Sequence, residues 1–378
     1  MRKSALILQH PIYNGINLFY ARNSMNTDFK DLGLKKGQRV IVAMSGGVDS
    51  SVSAIIAKEA GCIPVGITLK MFDSGTDIFS DAKKVADSLG IEWHGIDYSE
   101  TFHKSVITYF IRSYKMGETP NPCSFCNRNA KIKYLFDQMQ HYDCEKIITG
   151  HYAKIINYNG QSYISKAAFE GKDQSYYLSL VEPFHTNLLV LPLGEIENKD
   201  AVRAIAANYG LAVANKTDSQ DICFLEGKDY REFLSPFSSN WRKGDFILHG
   251  KRIGKNKGLH NYTPGQRKGL EISHTEPLYV KSVDHKTGDV YLGEKKEVFA
   301  KGIKLRDCQF YPEAPIIGKV TAKLRYRMKD EPCILEQAPE NRAFLLFEKS
   351  VFAPAPGQTA AIYLNDNVIG GGIIDGIF

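Results

Sequence analysis

Residues 39–61 read RVIVAMSGGVDSSVSAIIAKEAG. The run 39–44 is short, apolar and rich in β-branched residues, which suits a buried strand. Val52, Ile55, Ile56 and Ala60 then recur at helical spacing, and Gly61 supplies a stop. Between strand and helix lies Ser45-Gly46-Gly47-Val48-Asp49-Ser50. The paired glycines let the chain turn tightly and bring backbone N–H groups close to a ligand. Ser45, Ser50 and Ser51 add hydroxyls, and the helix points its positive end at the same place. The stretch therefore predicts a phosphate or pyrophosphate site. It lacks the GxxxxGK[ST] pattern, so it is not a Walker-type loop.

Working outward, apolar runs at 64–71, 91–97 and 146–151 read as further strands. Helical spacing marks 80–90, with Ser80 as its expected cap, and also 102–117 and 129–140. This alternation predicts a parallel sheet with helices on both faces, and a ligand crevice beyond the carboxyl ends of the strands. SGGVDS, the segment after Leu69 and Thr149-Gly150-His151 all sit at such ends. Residues 153–167 read as a hairpin around Asn157-Tyr158-Asn159-Gly160, and helical spacing returns at 198–210. From about 231 the chain becomes aromatic and turn-rich; from about 297 helical periodicity fades. Short strands at 316–328, 333–338, 342–348 and 360–364 predict a small all-β barrel or sandwich. The expected division is an N-terminal extension (1–37), an α/β catalytic domain (38–230), a small central domain (231–296) and a C-terminal β-barrel (297–378).

The 378 residues exceed one ordinary core. Forty-eight Lys+Arg against 42 Asp+Glu leave a net charge of +6, which permits a polyanionic partner without demanding one. Seven cysteines, an odd number in a long chain, argue against a disulfide framework and for a reducing, cytoplasmic setting. No run approaches bilayer-spanning length, so no membrane partner is expected. His10, Pro11, Asn14 and Gly15 interrupt the first apolar run, which speaks against a signal peptide. Met25 precedes what looks like a domain start, so residues 1–24 are expected to be either an extension or the product of an upstream start codon.

The cysteines supply the candidate nucleophiles. Thr119 to Asn129 read TPNPCSFCNRN, with Cys123 and Cys126 in a loop expected to open onto a helix. A helix N-terminus lowers a thiol pKa, and Arg128, Lys131 and Lys133 add positive charge. Cys223 lies in the polar stretch Asp218-Ser219-Gln220-Asp221-Ile222-Cys223-Phe224. Cys62, Cys144, Cys308 and Cys333 fit small apolar core roles.

SGGVDS resembles the signature of the PP-loop ATP pyrophosphatases, of adenine-nucleotide alpha-hydrolase-like fold. Those enzymes adenylate an oxygen of their substrate and let a nucleophile displace AMP. From about residue 38 to the end, the chain resembles the tRNA-specific 2-thiouridylases. The stretches that carry this are AMSGGVDSSVSA, TPNPCSFCNRNAKIKY, TGHYAK, KDQSYYLSL, LPLGEIENKDAVRAIA, DSQDICF, YTPGQRKGL, LRYRM and APGQTAAIY. The resemblance implies ATP-dependent adenylation of the wobble-uridine C2 oxygen, then sulfur transfer to give 2-thiouridine. It implies ATP and Mg²⁺ as cofactors, with tRNA and a desulfurase or sulfur-relay protein as partners. Ala43, Met44, Ser45, Gly46, Gly47, Val48, Asp49, Ser50, Leu69 and Gly150 match ATP-site positions, with Asp49 suited to Mg²⁺ or pyrophosphate. Asn121, Pro122, Cys123, His151, Lys172, Asp173, Gln174, Arg325, Tyr326 and Gln358 match positions that approach tRNA. Cys126 and Cys223 match the catalytic pair, Cys223 carrying the sulfur as a persulfide. Many members have Asp where this chain has Cys123.

That departure keeps two readings of the thiols open. In one, a Cys223 persulfide delivers sulfur and Cys126 resolves it, with Cys123 a spare thiol. In the other, Cys123, Cys126 and Cys223 ligate a [4Fe–4S] cluster whose free iron holds a sulfide. Zinc would need a fourth ligand, for which His151 is the nearby candidate; a Cys123–Cys126 disulfide is the bland alternative. Arg325-Tyr326-Arg327 and Lys172-Asp173-Gln174 combine charge with stacking or bifunctional groups, as RNA contacts do. Tyr262 to Leu270, YTPGQRKGL, reads as an RNA contact or a domain-joining segment. Two other functions compete: an amide-forming PP-loop ligase, and a non-catalytic RNA-binding or iron–sulfur scaffold.

Overall fold

The computed structural model describes residues 32–73, 75, 77–216 and 222–378. The readings on residues 1–24 and on most of the stretch before Cys223 lie outside them.

Five parallel strands form the first sheet: β1 (Arg39–Ala43), β2 (Ile63–Lys70), β3 (Glu92–Asp97), β4 (Lys146–Ile148) and, later in the chain, β7 (Leu189–Val190). Their order is β3-β2-β1-β4-β7. Val40 and Val42 of β1 pack with the helices Val48–Glu59, Ile78–Leu89 and Lys199–Asn208 on one face. Ile41 packs with Val65, Ile67, Ile132, Leu135 and Ile147 on the other. Side chains alternate along a strand, and both faces here are covered, so Val40, Ile41 and Val42 are apolar in succession. Burying each such Val or Ile stabilises the fold by about 1.5–3 kcal/mol. Chain order reverses between β1 and β4, which is where open α/β sheets form their crevice. SGGVDS leaves β1 there, and Thr149-Gly150-His151 leave β4.

Two helix starts differ from expectation. The helix Ile78–Leu89 is capped by Asp77, not Ser80; the Asp77 carboxylate accepts from the Phe79 and Ser80 N–H groups. The expected cysteine loop is itself helical, from Pro122 to Cys126. Asn121 caps it by accepting from the Ser124 N–H at 3.1 Å. Pro122 takes the first helical position, where its missing N–H leaves nothing unpaired. A π-turn, Asn127–Lys131, then leads into the helix Ile132–Asp137.

The hairpin comprises β5 (Lys154–Tyr158) and β6 (Gln161–Ser165), with Asn159 and Gly160 both at positive φ, 50° and 82°. That is the Asn-Gly geometry matched to strand twist. The helix Tyr230–Ser238 leads to the four central strands β8 (Asp245–Leu248), β9 (Lys251–Lys255), β10 (Tyr279–Val283) and β11 (Val290–Gly293). The last six strands are β12 (Phe299–Phe310), β13 (Ile317–Lys323), β14 (Glu331–Ala338), β15 (Arg342–Phe352), β16 (Thr359–Leu364) and β17 (Asn367–Ile377). They close into an antiparallel barrel through the β12–β17 pairing. The strand expected over 316–328 stops at Lys323, leaving Arg325-Tyr326-Arg327 in a turn. The hairpin does not stay with its neighbours in sequence: β6 joins the barrel at β17. One apolar core contains Ile41 and Ile147 of the parallel sheet, Tyr163 and Ile164 of the hairpin, and Ala361, Tyr363 and Val368 of the barrel.

Candidate active site

The glycine turn is built from its serines. Ser50 donates its hydroxyl proton to the Gly47 carbonyl at 3.0 Å, so its oxygen accepts from the Ser45 N–H at 3.1 Å and lies 3.2 Å from Ser45 Oγ. Ser51 donates to the same carbonyl at 2.9 Å. Gly46 needs its φ of +70°, and a Cβ there would approach Asp81 and Ala82 to about 3.0 Å. Gly47 caps the helix with no side chain of its own, leaving the first helical N–H groups available to an anion. From β4, Gly150 closes against the same turn: a Cβ on it would stand 3.0 Å from the Asp49 carbonyl carbon and the Ser50 nitrogen. Met44 is buried beneath the turn, and Ala43 and Leu69 sit half-buried at the ends of β1 and β2.

Asp49 does not stand alone. Lys199 donates to both of its oxygens, at 2.7 and 2.8 Å, and the Tyr152 hydroxyl donates to Oδ1 at 2.7 Å. Lys216 donates to Asp81 at 2.8 Å and faces the Gly46 carbonyl. That hydrogen bond, and then the Lys216 charge, hold the Asp81 carboxyl below the usual range. Sequence reading missed both lysines. Lys199 lies in a matched stretch, but nothing local ties it to a carboxylate far earlier in the chain.

Cys123, Cys126 and Cys223 come together. Burial leads the causes that push the Cys123 thiol up to about 11, and the nearby Cys126 adds to it. Burial also raises Cys126. Cys223 is pushed up to about 12, first by burial and then by Cys126 and Cys123. Cys223 is exposed as a residue, and its thiol lies within electrostatic reach of Cys126 and Cys123. Lys131 opposes all three shifts. The expected lowering at the helix N-terminus is therefore overturned: desolvation outweighs it, and the thiols rest protonated at neutral pH. Ser124, between the two helical cysteines, is fully buried, with a hydroxyl that has no partner among the described residues. The other four cysteines are buried and free.

Lys131 also fixes the tautomer of His151. Its ammonium can only donate, and it lies 3.0 Å from His151 Nε2, so Nδ1 carries the proton and donates to Thr149 Oγ1 at 2.7 Å. Burial, with Lys131 second, holds the His151 imidazolium pKa well below its usual range. The ring is neutral and interior.

Several residues matched to tRNA positions are engaged inside the protein. Asp173 is buried and accepts from the Ala167 and Ser175 N–H groups and the Ser175 hydroxyl, which turns its carboxylate away from solvent. Gln174 Oε1 accepts from the Tyr152 N–H at 2.9 Å. Arg325 donates to the Pro264 and Ala353 carbonyls at 2.8 and 2.7 Å. It thus joins the barrel to Tyr262–Leu270, the domain-joining reading of that segment. Gln358 donates to the Thr119 and Pro120 carbonyls at 2.8 and 3.2 Å. Gln358, with the Thr119 N–H donating to the Pro356 carbonyl, makes the barrel a clamp on the start of the cysteine helix, where Asn121 and Pro122 are buried. Tyr326 stacks on Tyr177, centroids 4.7 Å apart, and stays half-exposed, as does Lys172.

Among the described residues, no three Cys, His, Asp or Glu side chains are gathered closely enough to hold a metal ion. As placed, Cys123, Cys126 and Cys223 with His151 do not make a single-ion zinc site.

Three family models match in order: a tRNA methyl transferase HUP domain over residues 38–227, a tRNA methyl transferase PRC-barrel domain over 231–294, and an aminomethyltransferase β-barrel domain over 300–374. The tRNA-specific 2-thiouridylase MnmA of Trichlorobacter lovleyi is 37% identical over 344 residues, 89% of this chain and 97% of that protein. The chain belongs to the tRNA-specific 2-thiouridylase family. The tRNA-specific 2-thiouridylase MnmA 1 of Clostridium tetani is 36% identical over 356 residues, 91% of this chain and 98% of that one. A solved structure, the U34-tRNA thiolase NcsA from Methanococcus maripaludis with its [4Fe-4S] cluster, covers 59% of this chain and 72% of its own. Its TM-score of 0.37 at 21% identity is too loose to bear on ligands. Within this 2-thiouridylase family member, the three site cysteines fall in the first matched segment, and Arg325 and Gln358 fall in the third. No described helix is long and apolar enough to cross a membrane.

Proposed function

We propose that this chain is a tRNA 2-thiouridylase that uses ATP to activate the C2 oxygen of a wobble uridine and a protein thiol to deliver sulfur. The observation that supports it most is that Cys126 and Cys223, from distant parts of the chain, come within electrostatic reach of each other in the unit that carries the glycine turn. An amide-forming ligase has no use for that pair. A methyl transferase, the activity in two of the family-model descriptions, has no use for a turn shaped to hold pyrophosphate.

ATP would lie across the turn, with its phosphates at Ser45–Ser50 and its adenosine toward Ala43, Met44, Leu69 and Gly150. Uridine O2 attacks the α-phosphate, pyrophosphate leaves, and C2 now bears an O–AMP leaving group. Cys223 enters as a persulfide loaded by a persulfide-bearing donor protein. Its terminal sulfur forms a bond to C2, and the C2–O bond breaks to release AMP with the original oxygen. The Cys126 thiolate then attacks Cys223 Sγ. The S–S electron pair stays with the outer sulfur, giving the 2-thiocarbonyl and a Cys126–Cys223 disulfide, which a cellular dithiol reduces. Burial holds both thiols protonated at rest, and Lys131 is the nearby charge that favours the thiolate form. Cys123 takes no part in this sequence. Mg²⁺ would be held by the triphosphate with help from Asp49, and would neutralise the departing pyrophosphate. No step of this sequence runs through an iron–sulfur cluster. Lys172 and Tyr326 are the half-exposed groups suited to RNA. Asp173, Gln174, Arg325, His151 and Gln358 shape the surface from below.

Nucleoside mass spectrometry of tRNA from a deletion strain tests this. Complementation with Cys126→Ser or Cys223→Ser leaves no 2-thiouridine, whereas Cys123→Ser restores it. Wild-type thiolation by Cys223→Ser refutes the proposal; a strict requirement for Cys123 refutes the two-thiol sequence.

A further inference from the structure

A cleft of about 430 Å³, lined by no residue of the glycine turn, lies between the end of the helix Thr108–Lys115 and the central strands. Lys115, Asn240, Trp241, Arg242, Leu259, His285 and Lys286 line it, and no carboxylate does. Lys115, Arg242 and Lys286 are exposed, and none has a carboxylate partner among the described residues. Arg242 is oriented by donating to the Lys286 carbonyl. The neighbouring acid, Asp284, accepts from the Lys286 backbone N–H at 2.8 Å, and that bond leads the causes that hold its carboxyl below the usual range. Trp241 is half-buried: its ring meets His260 edge-on at 5.3 Å and packs against the apolar cluster around Phe224 and Phe233. His260 is buried, its Nε2 lies 3.2 Å from the Asn261 amide, and its Nδ1 has no partner among the described residues. Burial, then Arg231 and Lys243, lower its pKa.

Unpaired lysines on a convex surface are ordinarily a solvated face. Here they converge with an arginine on a concavity that an indole also lines, in a protein with only two tryptophans. Cations that take phosphate beside an aromatic plane that takes a base are the chemistry of single-stranded or splayed RNA. We propose that this cleft binds one unpaired nucleotide of the RNA substrate, its phosphate among Lys115, Arg242 and Lys286 and its base against Trp241. The site would grip the tRNA away from the reacting uridine. It rests on the reading of tRNA as substrate.

The test uses the full chain with Trp93→Phe, which leaves Trp241 as the sole tryptophan. Binding of unmodified tRNA is followed by filter retention and by Trp241 emission together, with inorganic polyphosphate as a probe that has charge but no bases. The expected result is quenching by tRNA and none by polyphosphate. Trp241→Phe in the parent protein gives an independent reading, because the tRNA-dependent quenching then disappears. Lys115→Gln/Lys286→Gln should weaken binding about tenfold and flatten the logarithmic salt dependence by about two units, one for each lysine charge removed from the phosphates. Filter binding with unmoved Trp241 emission, or a double variant with unchanged affinity and salt slope, overturns the cleft assignment alone. No tRNA binding by the parent chain overturns the proposed function with it.

Discussion

Gly150→Ala places one methyl group where the strand-end segment from β4 meets the glycine turn. The new carbon would stand 3.0 Å from two backbone atoms, against 3.4 Å or more in ordinary contact. The shortfall of roughly 0.4 Å cannot be absorbed by a flexible side-chain tip, because the opposing atoms are the Asp49 carbonyl carbon and the Ser50 nitrogen. Overpacking of this kind costs about 1–3 kcal/mol. Ser50 also holds the turn through its bonds to Ser45 and Gly47, so a shift at Ser50 carries the phosphate-binding N–H groups with it. If the strain is felt mainly in the nucleotide-bound state, ATP affinity falls by about 5- to 140-fold, at tenfold per 1.4 kcal/mol. If free and bound states share it, the thermal transition moves down instead. Calorimetric titration with ATP, paired with a thermal melt of the same sample, reads both. A variant that binds ATP within twofold of the parent and unfolds at the same temperature would refute the contact between Gly150 and the turn.

Three further outcomes are expected. Lys199→Met leaves the Asp49 carboxylate with the Tyr152 hydroxyl but no countercharge; the loss is about 1–3 kcal/mol by chemical denaturation, and adding Asp49→Asn recovers part of it, which a double-mutant cycle measures. Iodoacetamide labelling of Cys223, followed by peptide mass spectrometry in tRNA-free protein, rises about tenfold per pH unit up to at least pH 10, because only the thiolate reacts and the thiol is pushed up to about 12; a plateau near the ordinary value of 9.0 would show that its surroundings do not desolvate it. Arg325→Ala removes two charge-assisted bonds, one to the Pro264 segment and one within the barrel to Ala353, so it lowers stability by about 2–4 kcal/mol and opens the joint to limited proteolysis. Weakened tRNA binding with unchanged stability would return that residue to the surface.

The glycine turn, the parallel sheet and the barrel were legible because each rests on a local pattern: a β-branched run into Gly-Gly, apolar runs spaced by helices, and short strands with turns between them. The cysteine helix was also legible in principle. Asn121 and Pro122 are a cap and a first helical residue, but Asn-Pro equally signals a turn, and the turn reading prevailed. The thiol pKa direction was not legible, because desolvation depends on what folds over a residue. Nor were the partners of Asp49, Arg325 and Gln358, which come from distant segments. The resemblance placed Asp173, Arg325 and Gln358 near RNA; the fold shows each already bonded to protein, which no spacing in the chain reveals.

The hairpin Lys154–Ser165 has a practical consequence. It is encoded inside the nucleotide-binding segment yet extends the sheet of the last one, over an apolar layer that both share. A chimera that exchanges the C-terminal barrel between relatives at a linker near residue 297 would pair a foreign β17 with a resident β6, and would face Tyr163 and Ile164 with unmatched partners. Grafts that carry residues 154–165 along with the barrel should therefore express as soluble protein where simple terminal swaps do not.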